Sequence, residues 1–115
     1  MTIKRIGVGP RMSQAVIHGD RVFLAGQVAE NPTPDVTEQT RQILATIDGL
    51  LAEAGTDKTK LLTANIWLAD IADFAAMNAA WDKWVSPGNT PARATVESKL
   101  AGPEYRVEIQ VTAAI

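Results

Sequence analysis

Two short segments near the end of the chain carry the residues best suited to chemistry. The first is Pro91-Ala92-Arg93-Ala94-Thr95-Val96-Glu97, the second Tyr105-Arg106-Val107-Glu108-Ile109-Gln110-Val111. Both read as strands. A half-buried Arg93 offers a planar fork of donors for a carboxylate. Glu108, set in an alternating apolar run, is of the type that steers or activates a water. Together they suggest a pocket for a small carboxylic acid with hydrolytic chemistry. The competing structural reading is an ion pair of Arg93 with Glu97 or Glu108, and a solvated sheet face for Glu108. Thr95, two residues beyond Arg93, shares its face and can donate to a ligand, or simply fill a strand. Asn78 lies on the apolar stripe of a helix, where its amide must tie a loop down or face a pocket. His18 reads as an exposed turn residue. Tyr105 reads as a packed strand aromatic or a proton donor.

The elements that must position these groups follow from periodicity. Ile3–Val8, residues 14–18 and residues 21–25 alternate as strands, with Gly19-Asp20 as a hairpin turn. Gly26-Gln27 breaks the third strand and implies a bulge or a close backbone approach. Val36, Thr40, Ile43, Ile47, Leu50, Leu51 and Ala54 follow helical spacing, with Thr33 or Asp35 as cap and Gly55 as stop. Leu61–Leu68 is a strand with Leu62, Ala64, Ile66 and Leu68 on one face and Thr63, Asn65 and Trp67 on the other. A second helix starts near Asp70, with Phe74, Asn78, Trp81 and Val85 in one stripe. The two late strands close a β-β-β-α-β-α-β-β order. One mixed sheet can carry both helices on one face. Its other face, with Trp67, then calls for a neighbouring subunit.

Composition sets the outer limits. The 115 residues hold 46% apolar residues and a formal charge of −2, which fits one domain spanning residues 1–115. No basic block exists, so nucleic acid is not an expected partner. With no cysteine, disulfides, thiolate nucleophiles and cysteine-ligated metals are excluded, and the single His18 cannot supply a His-rich metal site or a standard triad. Residues 1–7 lack the apolar core of a signal peptide and no run reaches membrane-spanning length, so a cytoplasmic location is expected and no membrane.

At Pro91-Ala92-Arg93 and Val107-Glu108-Ile109 the chain resembles the RidA/YjgF family of reactive-intermediate deaminases. Ser13-Gln14-Ala15, Ala25-Gly26-Gln27-Val28, Glu38-Gln39-Thr40-Arg41-Gln42, Asp73-Phe74 and Met77-Asn78 match in order. The resemblance implies a chorismate-mutase-like α+β fold, assembled as a homotrimer with ligand pockets between subunits. It also implies hydrolysis of enamines and imines such as 2-aminoacrylate to 2-oxo acids and ammonia, with no metal or organic cofactor. Under it, Arg93 binds the substrate carboxylate, Glu108 positions the hydrolytic water, and Asn78 lines the pocket. Met12 and Ala25 stand at pocket positions where the deaminases often carry Tyr and Ser, and Thr95 where many carry Cys. The implied pocket is more apolar than the usual pattern. That opens two alternatives, a related deaminase with a less polar substrate and a non-catalytic small-carboxylate sensor.

Overall fold

The computed structural model describes all of residues 1–115. Its elements are strands β1 (Ile3–Val8), β2 (Ser13–His18), β3 (Arg21–Leu24), β4 (Leu61–Leu68), β5 (Ala92–Glu97) and β6 (Val107–Ala114), with helices α1 (Val36–Glu53) and α2 (Phe74–Trp84). They form one six-stranded sheet in the order β1-β2-β3-β6-β4-β5. All neighbours are antiparallel except β4 and β5, which run parallel through the α2 crossover. The α+β architecture expected from the sequence is what the chain adopts, with both helices on one side of the sheet.

Local chemistry accounts for the element ends. Gly19 alone takes a positive φ, 64°, in the two-residue turn between His18 and Arg21, the backbone pattern that a tight hairpin asks of its first central residue. Asp35, not Thr33, caps α1, with Oδ1 accepting from the Thr37 N–H at 2.9 Å. Asp70 also caps, but it caps a single 3₁₀ turn (Ile71–Asp73) that leads into α2 at Phe74.

The core lies between sheet and helices. Ala15, Val22, Leu24, Ala64, Ile66, Leu68, Val107, Ile109 and Val111 from the sheet meet Ile43, Ile47 and Leu51 of α1 and Met77 and Trp81 of α2. Strict alternation along β6 buries Val107, Ile109, Val111 and Ala113 and turns Glu108, Gln110 and Thr112 to the other face. That other face has no cover within the chain. Phe23 is 44% exposed there and Val96 50%, with Trp67 half-buried between them in sheet order.

Three sequence expectations are corrected. Leu62 is exposed, because a register shift between Leu61 and Thr63 puts Leu61 into the core instead. The buried face of α2 is Met77, Ala80 and Trp81, so Phe74 and Asn78 sit at its flank and Phe74 is exposed. Tyr105 is not in a strand. Its N–H closes a turn onto Gly102 O, and the Arg106 N–H is taken by the Gln39 side chain, so β6 starts at Val107.

Candidate functional site

Register decides which way each functional side chain leaves the sheet. Arg93 pairs with Ala64 and Thr95 with Ile66, and both partners are buried under the helices. Arg93 and Thr95 therefore leave β5 on the helix side. There the Arg93 guanidinium carbon sits 5.3 Å from the Trp81 ring centroid and 6.0 Å from that of Phe74. This cation–π seat is worth about 0.5–2 kcal/mol, depending on desolvation. It holds the guanidinium without neutralising it. The chain has two ion pairs, Arg41–Glu38 and Arg106–Asp73, and neither involves Arg93. The expected structural partners are engaged elsewhere: Glu97 Oε1 accepts from the Ile71 N–H at 3.0 Å, and Glu108 is on the opposite face.

Two further polar groups share that side. Asn78 lies between Phe74 and Trp81 on the helix that holds Arg93, and its Oδ1 is buried without a hydrogen-bond partner. Thr95 Oγ1, one pleat beyond Arg93, is buried and unpartnered as well. Buried oxygens without partners cost roughly 1–3 kcal/mol each, and the Asn78 oxygen does not tie down a loop. A shallow depression of ≈ 320 Å³ lies over the start of the β4–β5 pair, lined mostly by Thr63, Asn65, Ala92 and Ala94 of the uncovered face, and it borders Arg93 from that side rather than from the Trp81 side.

Glu108 is built differently. It pairs with Trp67 on the uncovered face, and its carboxylate lies directly on Gly26. A Cβ at Gly26 would overlap Glu108 Oε2, so the glycine makes room for the carboxylate in this position. The approach is fixed by a two-way bridge of Gln27 to Ile109, with N–H···O distances of 2.8 and 3.0 Å. Gln27 Nε2 then donates to Gln14 Oε1 and to Ala25 O, both at 3.0 Å. Ala25 is half-buried beside this lock, and its N–H donates to Gln14 O. Met12, half exposed, ends the neighbouring β1–β2 turn, where its carbonyl accepts from the Gly9 N–H. The break at Gly26-Gln27 is thus the close approach anticipated from sequence, while the clamping role of Gln27 and Gln14 had no sequence signal beyond two amides near a strand end.

Within one chain, Arg93 and Glu108 do not meet. They are on opposite faces, two strands and three residues apart in register, or roughly 14 Å in the sheet plane from strand spacing alone. His18 is exposed at the far hairpin. No group of three His, Asp or Glu side chains converges in a way that could hold a metal ion.

A family model described as endoribonuclease L-PSP matches residues 2–115. This chain belongs to the RidA/YjgF family. Among its relatives, the RutC family protein YoaB of Escherichia coli is 48% identical over 115 residues, covering all of both chains. A RutC family protein of Haemophilus influenzae is 47% identical over 114 residues, covering 98% of each. Solved structures agree. A YjgF-family member from Neisseria meningitidis superposes with a TM-score of 0.97 at 51% identity, covering 99% of this chain and 95% of that one. A Rid-family protein from Yersinia pestis gives 0.86 at 32% identity, covering 94% and 90%. The names carried by RidA/YjgF relatives do not agree on one activity, so the reaction must be argued from the site. No helix here is long and apolar enough to cross a membrane.

Proposed function

We propose that this RidA/YjgF protein hydrolyses small 2-imino acids, the tautomers of 2-aminoacrylate-type enamines, to 2-oxo acids and ammonia. The observation that carries the reading is the un-neutralised Arg93 guanidinium, seated on Trp81 and Phe74 with no acid in reach. A cation kept free of protein carboxylates is a receptor for a substrate carboxylate. Asn78 Oδ1 and Thr95 Oγ1 add unfilled hydrogen-bonding capacity on the same side.

Glu108 supplies the second half. Because it leaves the opposite face of its own sheet, the acid that works with Arg93 is the Glu108 of a neighbouring subunit. The uncovered face with Phe23, Trp67 and Val96 is the surface on which neighbours would pack, in a homotrimer with pockets between subunits. Arg93 then fixes the imino acid by its carboxylate and Glu108 takes a proton from water as the oxygen bonds to the imine carbon. The tetrahedral carbinolamine collapses as the proton passes to nitrogen and ammonia leaves. Water is the only co-reactant. Met12 and Ala25, beside the Glu108 lock, offer no hydroxyl to the substrate and favour an imine with an apolar side chain.

The experiment is subunit complementation. Ammonia release from freshly generated 2-aminoacrylate, and from imines of larger apolar amino acids, is measured for Arg93→Ala, for Glu108→Gln, and for the two unfolded together and refolded as a mixture. Each variant alone is expected to be inactive. Random mixing in a ring restores Arg93 facing Glu108 at about a quarter of the sites. Wild-type rates no faster than buffer on every imine remove the deaminase reading. Activity in the variants with no gain on mixing removes the shared pocket. Binding of 2-oxo acids without turnover leaves the sensor reading.

A further inference from the structure

We propose a second ligand site, for a small aromatic anion, in the groove between α1 and α2 on the side turned away from the sheet. The groove has a volume of ≈ 310 Å³ and is walled by Leu44, Ala45, Asp48, Ala80, Lys83 and Trp84, among others. That volume sits at the small-molecule end of ligand pockets, too small for a docked helix. It lies on the helix side, away from the uncovered sheet face, and its lining does not include Arg93.

The groove is built rather than incidental. Trp84 is fixed from two sides, by a 3.0 Å hydrogen bond from its Nε1–H to Asp48 Oδ2 and by its contact with Trp81, at 5.4 Å between centroids. Small side chains at Ala45 and Ala80 line the groove beside Trp84. Charge selects the sign of the guest. Glu38 is neutralised by Arg41 at 2.5 Å, and Asp48, which keeps its charge, has Oδ2 engaged by the indole and is outnumbered by the lysines of the lining. Lys58 and Lys83 have no carboxylate partner, and Lys58 Nζ stands 5.3 Å from the Trp84 ring centroid. Lys58 over the indole, with Lys83 in the same lining, complements a planar carboxylate, in a chain whose overall charge is −2.

The probe is 2-naphthoate, compared with its neutral carboxamide and with 2-naphthylmethylammonium. Calorimetry is run on wild type and on Arg93→Ala, the latter to remove carboxylate capture in the other pocket, while proton–nitrogen spectra follow the Trp84 Nε1–H. The carboxylate is expected to bind both proteins, to shift the Trp84 signal, and to bind more tightly than the amide, with the ammonium weakest. Lys58→Gln with Lys83→Gln should weaken naphthoate about 3- to 10-fold and leave the amide unchanged. Ala79→Trp, which fills the groove from an exposed position, should abolish binding of all three. Equal affinity for carboxylate and amide, loss of binding in Arg93→Ala, a shift confined to the Trp67 signal, or no saturation by millimolar probe overturns the site.

Discussion

Arg93 and Arg106 are the two half-buried arginines of the chain, and their surroundings are opposite. Arg106 is finished. Its Nη2 donates to Asp73 Oδ2 at 2.7 Å, and that hydrogen bond, with the carboxylate's charge, pushes the guanidinium pKa up from an already high value. Its backbone N–H is held at 2.8 Å by Gln39 Oε1. Arg93 is seated instead on ring faces that leave its donors free. One arginine closes the junction where the 98–106 loop meets α2; the other keeps a binding capacity that the chain itself does not use. The difference separates stability from function more cleanly than burial does, since both side chains are partly exposed.

The sharpest way to break this contrast is to truncate each. Arg93→Ala should lower kcat/KM for imine hydrolysis by about 30- to several-thousand-fold, or roughly 2–5 kcal/mol, if it loses a bidentate carboxylate contact. Its urea midpoint should barely move, because only the ring contacts are lost. Arg106→Ala should do the reverse. Turnover stays within a few-fold, and stability falls by less than about 1 kcal/mol, since the pair is over a third exposed on the arginine side and screened by solvent. A raised arginine pKa is a contribution present at all lower pH and lost only as pH rises through the folded value, so this pair adds no slope to stability near neutrality. Equal kinetic losses in the two variants would dissolve the distinction.

Next in size is Gln39, the fully buried hub behind Arg106. Its Nε2 donates to Thr33 O and Glu104 O at 2.6 and 2.9 Å, while its Oε1 accepts from Arg106 N–H. Gln39→Ala strands three backbone groups and should cost on the order of 3 kcal/mol in urea denaturation, with hydrogen exchange rising first in residues 98–106. Gly26→Ala comes after it. An added Cβ would push the Glu108 carboxylate aside; the side chain can turn away, so stability should fall by less than about 1 kcal/mol, while turnover falls and binding of a 2-oxo acid at Arg93 is retained. A loss of that binding instead would place the acid and the cation in one unit that a single chain does not show.

The legibility of these features differs for physical reasons. Alternation placed Glu108 with Gln110 and Thr112, and Thr63 with Asn65 and Trp67, because period-two geometry is local; all six share the uncovered face. It also put Arg93 and Thr95 on one face. Which face they take depends on the parallel pairing of β5 with β4 across the α2 crossover, a long-range register that no local pattern encodes. The Leu62 reversal comes from a bulge that only the partner strand reveals. Gln39 read as one polar residue within a helix, because its value lies in carbonyls 6 and 65 residues away. Sequence pattern reaches the side-chain direction within an element; assembly of the site rests on contacts between elements.

The smallest expected effect lies at the other end of the molecule and bears on how β4 is launched. Asp57 caps the 3₁₀ turn Lys58–Lys60, accepting from the Thr59 N–H at 2.8 Å and from the Thr59 hydroxyl. These hydrogen bonds, the hydroxyl first, hold its carboxyl below the ordinary value of 3.8. A depressed acid contributes stability that is complete above its unfolded value and is lost as pH falls through the folded one. Wild type should therefore lose a small increment of thermal stability on acidification below 3.8 that Asp57→Asn does not lose, with the two melting curves converging in strong acid. The same turn sets Lys58 above Trp84. If Asp57→Asn shifts the Trp84 indole signal as well as the acid limb of the stability curve, the cap also governs the helix-side groove; if the signal stays still, the turn serves only the entry into β4.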